Sequence, residues 1–508
     1  MLFNSAEFLC LFLPLALLGT FAIRQVSLRA SFGWLVLCSL FYYGYWAPHF
    51  VGLIVASIGV NYLFSNRLSA RAGRAKGLLT FGVGLNLAVL AYFKYFNFFV
   101  DNLSMLTGET YEVIRVVLPI GVSFFTFQQI ALLVDSHRGL VTRLTWLDHA
   151  LFVSFFPQLV AGPIVHHAEM MEQFHTPPSV TKHRRGIALG IALFSIGLFK
   201  KVWIADWMAL NASRVFGFAE GGGSVTSFDA WVGALSYTLQ IYFDFSAYSD
   251  MAIGLGLLFG IRLPLNFDSP YQSKSIVEFW RRWHITLSRF LRDYLYIALG
   301  GNRRGRLRRY MNLFITMLLG GLWHGAGWTF VVWGGLHGLY LTINHAIVHM
   351  VSSRDWKLRH SSIYAALGFS ATTLAVVVAW VFFRAESCDG AWRVLGAMFA
   401  TDGFSVPESL MRVHVLAGVL GDMGVEVGVA VAKDMVSIAF IPLLFLVTWC
   451  VPNACVYALS LYDAEQGEAA EEGAVPNRVG AFALAGGAAL ALALHALAAP
   501  SEFIYFQF

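Results

Sequence analysis

The feature that most constrains this chain is the recurrence of apolar runs long enough to cross a lipid bilayer. Such runs occupy residues 8–23, 51–65, 311–335, 361–383, 436–451 and 479–499. A span needs roughly 20 mostly apolar residues. Hydrocarbon offers the backbone no water to bond, so spans of this kind fold as helices. Only 13% of the 508 residues are charged, against about 25% in soluble domains, and a water-soluble fold is excluded. The expectation is an all-α polytopic membrane protein, one membrane domain over residues 1–508, with about 11 transmembrane helices. The first run lacks a basic n-region and a small-residue cleavage site, and it reads as a retained span rather than a removed signal peptide.

The positive charges indicate orientation. Arg24 and Arg29, the group Arg67, Arg71, Arg74 and Lys76, then Arg138 and Arg143, and then Lys182, Arg184 and Arg185 fall in short loops between runs. The positive-inside rule places such loops in the cytoplasm, which puts the N-terminus outside. The densest stretch, 274–310, carries ten Lys or Arg against Glu278 and Asp293. It reads either as topogenic charge touching anionic lipid head groups or as a docking surface for a phosphate-rich donor. The acidic stretch 463–472 reads as a solvated connector, and 402–435 as a short amphipathic surface element. The five cysteines show no metal-site or disulfide spacing.

Ionisable residues inside apolar runs are expensive and ordinarily face a cavity or a partner. His324 lies in MLLGGLWHGAGWTFVVWGGLHG, 15 residues beyond the basic run ending at Arg309. That distance corresponds to roughly 20 Å of helix within a hydrocarbon core about 30 Å thick. The neighbouring glycines remove side-chain bulk and admit another helix or a substrate. A functional histidine is the favoured reading there. His284, in EFWRRWHITLSRFLRDYLYIALGGNR, sits among aromatic and guanidinium groups that suit a membrane-interface helix. It divides evenly between an interface residue and a second catalytic group. Arg281, Arg282, Arg289 and Arg292 either snorkel to head groups or hold phosphate, with Glu278 and Asp293 as partners that fix some of them.

Three further features are open at this level. His337 reads either as a cavity-lining group or, more economically, as a helix-packing hydrogen bond. Asp244 and Asp250 read as structural carboxylates that cap a helix or bond tyrosine hydroxyls. Pro157 and Pro163 around Gly162 should break a helix into a re-entrant segment. His166, His167 and His175 show no tetrahedral metal constellation.

Several stretches together resemble the membrane-bound O-acyltransferase (MBOAT) family: LPIGVSFFTFQ (118–128), FFPQLVAGPI (155–164), FKKVWIAD (199–206), YFDFSAYSDMAIGLG (242–256), EFWRRWHITLS (278–288), LRDYLYIALGGNR (291–303), GGLWHGAGWTF (320–330), WVFFRAES (380–387) and the terminal FIYFQF. They run in order over nearly the whole chain, most weakly over 402–480. The resemblance implies the MBOAT fold, with re-entrant and interfacial helices around a central funnel. Peripheral helices would occupy about 1–110, a catalytic core about 115–385, and a variable surface segment with C-terminal helices about 386–508. It places the family's catalytic histidine at His324 and its second functional position at His284.

The same resemblance implies acyl transfer from a thioester. Acetyl-CoA would dock from the cytoplasm against Arg281 and Arg282, with Trp283 and Trp323 beside it and no metal. His324 would act as general base or carry a transient acetyl group, and His284 would bond the oxyanion or fix the donor. The product would be an O-acetylated exopolysaccharide, alginate in the first reading, made with a periplasmic SGNH-type acetyltransferase as partner at the bacterial inner membrane. One alternative keeps the fold and acylates cellulose, peptidoglycan or teichoic acid, the last with D-alanine. Another is a non-enzymatic transporter, whose expected paired inverted repeats with broken helices are not found in the sequence.

Overall fold

The computed structural model describes the chain except residues 112, 142–143, 355–360, 402, 409–424, 465–473, 497–500, 502 and 505–508. Most of the acidic stretch, part of 402–435, Arg143 and the end of FIYFQF therefore lie outside the described residues. The rest is mostly helical, with a single pair of three-residue strands, Ser405–Pro407 and Glu426–Gly428, paired in parallel. Among the described residues, seven helices are long and apolar enough to cross a membrane, including Phe8–Val26, Lys76–Thr107, Val180–Glu220 and Ser362–Arg384. The chain is a multi-pass all-α membrane protein.

Two compact units divide it: residues 1–199, 246–266 and 454–507 form one, and 200–245 and 267–453 the other. In the first unit, polar pairs and small residues replace the hydrophobic effect that lipid cannot supply between helices. Asn61 and Asn86 exchange side-chain hydrogen bonds of 3.1 and 2.7 Å and tie Val51–Ala70 to Lys76–Thr107. A Cβ on Gly190 would stand 2.7 Å from the Gly254 carbonyl oxygen, so backbone approaches backbone there. The Pro157–Pro163 segment is broken as expected. The chain leaves a helix at Ser154, makes the four-residue turn Phe156–Leu159 and stays irregular to His167, all of 154–165 buried.

The second unit carries the histidines singled out above. Its helices are α1 (Ser227–Leu258, whose last residues belong to the first unit), α2 (Ile276–Arg282), α3 (Ile285–Phe290), α4 (Gly305–His324), α5 (Trp328–Arg354) and α6 (Ser362–Arg384). The apolar run 311–335 is not one span but the turn of a hairpin, since α4 ends at His324 and α5 begins at Trp328. Glycine makes the hairpin tight. A Cβ on Gly334 would stand 2.5 Å from the Met317 carbonyl oxygen, and one on Gly338 about 2.9 Å from the Phe314 ring. The stretch around His284 is likewise not one interface helix, because α2 and α3 are separated by a break at the histidine itself.

Candidate active site

The buried face of α4 reads Asn312, Thr316, Met317, Gly320, Gly321, Trp323 and His324, the three-and-four spacing of a helix stripe. The helix stops because Gly325 turns extended, with φ −157°. A Cβ on Gly325 would overlap the Phe330 ring, so the small residue lets α5 fold back directly over the end of α4. His324 is thus the last helical residue, 3% exposed. Its ring is held edge-on by Trp323 at 4.9 Å, Trp333 at 5.0 Å and Phe383 at 5.2 Å between centroids. Three aromatic walls fix the ring orientation.

His284 reaches the same place from another direction. It is a non-glycine residue with φ +43° and ψ 55°, between the end of α2 and the start of α3. Holding a side-chain-bearing residue there costs on the order of 1 kcal/mol, and such outliers cluster at functional sites. The turn buries the imidazole completely. It stands edge-on to Phe245 of α1 at 4.7 Å, with Trp323 at 6.4 Å and His324 at 6.5 Å.

The turn is braced by Arg282. Its guanidinium donates to the Asp268 carbonyl oxygen at 3.1 Å and pairs with Glu278 at 3.0 Å, while its own carbonyl accepts from the Asp268 N–H at 3.0 Å. Glu278 also receives the Lys274 N–H at 2.9 Å and caps the segment that leads into α2. Arg292 pairs with Asp293 at 2.7 Å, so both carboxylates fix arginines as the sequence suggested.

Of the residues expected to hold the donor, Arg281 is exposed and Arg282 is committed to this brace. Trp283 is buried between Phe267 at 5.0 Å and Trp380 at 4.9 Å. Trp323 touches His324, with ring centroids 4.9 Å apart. Arg303, Arg304, Arg306 and Arg308 lie exposed on the loop into α4 and its first turn, a basic surface on the chain that leads to His324. No group of three or more His, Cys, Asp or Glu able to hold a metal occurs among the described residues.

His337, one turn beyond Trp333 on α5, accepts a hydrogen bond from the Trp280 indole on α2 at 3.2 Å between Nε1 and Nδ1. The helix-packing reading of this histidine is borne out. Two polar contacts had no signal in the sequence beyond an unexplained charge. Lys201, in the π-helical segment Lys200–Ala205, is 2% exposed and pairs with Asp244 at 2.7 Å and Asp206 at 2.9 Å. Asp244 is therefore an ion-pair partner, next in sequence to the phenylalanine that walls His284.

The sequence profile of MBOAT, the membrane-bound O-acyltransferase family, matches residues 72–384, which include both histidines and all of α1 through α6. A peptidoglycan O-acetyltransferase of Helicobacter pylori is 43% identical over 435 residues, covering 80% of this chain and 81% of that protein. A protein of Azotobacter vinelandii named probable alginate O-acetylase AlgI is 44% identical over 418 residues, 80% of each. A teichoic acid D-alanyltransferase of Streptococcus thermophilus is 27% identical over 237 residues, 45% of this chain and 57% of that one.

Proposed function

The chain belongs to the membrane-bound O-acyltransferase family, and from that premise we propose that it moves acetyl groups from cytoplasmic acetyl-CoA across the bacterial inner membrane for O-acetylation of an exported polysaccharide. It is an acyltransferase that acts on a polysaccharide or a related polymer. The observation that carries the finer reading is the placement of His324 at the broken end of α4, buried among three aromatic rings, with His284 6.5 Å away.

The transfer is a substitution at a thioester. The acceptor hydroxyl oxygen bonds the acetyl carbon, the carbon–sulfur bond breaks, and the thiolate leaves. His324 takes the hydroxyl proton and returns it to the leaving sulfur, as a neutral imidazole can. His284 orients the donor from the side of α1 and α2. The exposed Arg281 and the arginines from 303 to 308 attract the CoA phosphates, and the aromatic walls exclude bulk water, which would hydrolyse the thioester. With basic loops inside, the N-terminus faces the periplasm. There an SGNH-type acetyltransferase completes the transfer to polymer.

Alginate is the acceptor polymer favoured by the AlgI likeness. The peptidoglycan relative, at 43% identity over the same share of this chain, supports a second reading with peptidoglycan as acceptor. Replacing His324 with Ala should abolish ester-linked acetate on the acceptor polymer while leaving the protein folded in the membrane. Near-normal acetylation in that variant sinks the reading. Acetate analysis of both exopolysaccharide and peptidoglycan from a deletion strain decides between the polymers.

A further inference from the structure

Within the enclosure around His324 one feature is unused by the chemistry above. Trp333 and His337 stand one turn apart on α5, so their side chains leave the same face of the helix. Both are essentially fully buried, at 1% and 0% exposure. Their rings are 4.8 Å apart, and Trp333 in turn lies 5.0 Å from His324. An indole N–H only donates, so the bond from Trp280 makes Nδ1 of His337 the acceptor. The imidazole is then neutral with its proton on Nε2, and that tautomer is set by the protein.

The consequence is a second buried donor pointing away from Trp280. Among the described residues, neither Nε2 of His337 nor Nε1 of Trp333 has a hydrogen-bond partner. Buried donors of this kind are nearly always satisfied in folded proteins. Two on one helix face, beside the proposed general base, offer a pair of donors to an acceptor atom of a ligand. α5 holds them rigidly, because Gly334 is packed backbone to backbone on Met317 and Gly321 of α4. Donors fixed before the reaction are what stabilises charge that develops during it.

We propose that the N–H groups of Trp333 and His337 form the oxyanion pocket of this acyltransferase and receive the carbonyl oxygen of the acyl donor. With Trp333 between them at 5.0 and 4.8 Å, the rings of His324 and His337 lie within about 10 Å of each other. A hydrogen bond from the base to the acceptor hydroxyl, a near-attack separation to the carbonyl carbon, the C=O bond and a final hydrogen bond together reach across a span of at most that length. As the hydroxyl oxygen bonds the acetyl carbon, the π electrons of the carbonyl pass to its oxygen, which faces the two donors. They return when the carbon–sulfur bond breaks. His284 is left to orient the donor.

This proposal rests on the acetyl-CoA reading, and the experiment separates the two. The purified full-length protein is titrated with two unreactive CoA derivatives. One is the ketone analogue in which CH2 replaces the thioester sulfur, and the other is S-ethyl-CoA, which lacks the carbonyl. Wild-type protein should prefer the ketone at least tenfold. His337→Phe should erase the preference and lower kcat about 10²–10³-fold, with KM for acetyl-CoA little changed. His337→Gln, which keeps an N–H near the Nε2 position, should restore part of both. Trp280→Phe, a milder change that releases the tautomer, should reduce the preference without erasing it. It serves as the test if His337→Phe fails to fold. An unchanged preference in these variants overturns the oxyanion pocket alone. If wild-type protein binds neither analogue, the donor assignment falls and the pocket falls with it.

Discussion

His284 and His324 come to rest with their rings 6.5 Å apart, one in a left-handed turn between two short helices and the other at the last residue of a long one. Neither position is one that helix packing alone requires. The turn at His284 is strained for a residue with a side chain, and His324 ends its helix only because Gly325 permits the fold-back. Two separate local departures from regular structure converge on one enclosure. That convergence is the strongest structural argument that the two imidazoles act as a unit.

If they act as a unit, their removals should not add. His324→Ala and His284→Ala are each expected to lower acetyl transfer by about 10³-fold or more, and the double variant by little beyond the worse single. Multiplicative losses in the double variant would show that the histidines contribute to separate steps. The measurement is acetyl release from acetyl-CoA by purified protein with acceptor present.

The backbone at His284 makes a separate prediction about stability. Asn tolerates the left-handed region, whereas a β-branched residue does not. His284→Asn should keep the thermal midpoint near wild type, while His284→Val should lose about 1–3 kcal/mol. Equal midpoints for the two, measured in the same detergent, would mean that the turn is not constrained. Activity should fall in both.

The two arginines that the sequence could not tell apart should separate cleanly. Arg282→Ala breaks the brace to Asp268 and Glu278, and it should lower stability and kcat together by displacing the His284 turn. Arg281 is exposed, and Arg281→Ala should leave the midpoint alone and raise KM for acetyl-CoA two- to fivefold at low ionic strength. The increase should fade as salt is added, because screening weakens exposed charge pairs beyond about 10 Å at 0.1 M. A salt-independent KM would remove Arg281 from the donor path.

These contrasts also show what was readable before the fold. The burial of His324 inside the fold was legible because an ionisable ring in an apolar, glycine-rich run is costly at membrane depth unless enclosed by protein. The membrane class was legible from apolar length alone. The hairpin at 324–328 was not, since glycines that break a helix and glycines that pack one look alike in a sequence. Arg282 was not, because a guanidinium suits a phosphate and a carboxylate equally well. The Trp280–His337 bond and the Lys201–Asp244 pair join residues 57 and 43 positions apart. Only tertiary contact reveals which lone polar residue in lipid has found which other.

The Lys201 pair supports the last prediction. Asp244 is 1% exposed and Lys201 2%, with Asp206 as a second partner at 2.9 Å. Removing the cation leaves a carboxylate buried beside Phe245, the residue that walls His284 at 4.7 Å. Breaking a buried pair from one side costs about 3–5 kcal/mol, whereas replacing both members is far less damaging. Lys201→Met should therefore destabilise strongly and reduce activity through Phe245, and Lys201→Met with Asp244→Asn should recover much of the midpoint. The recovery is the informative quantity, because a purely additive double variant would mean that the two charges do not depend on each other. Recovery of stability without recovery of transfer would instead assign the pair a role in the chemistry beyond holding α1 against the Lys200–Ala205 segment.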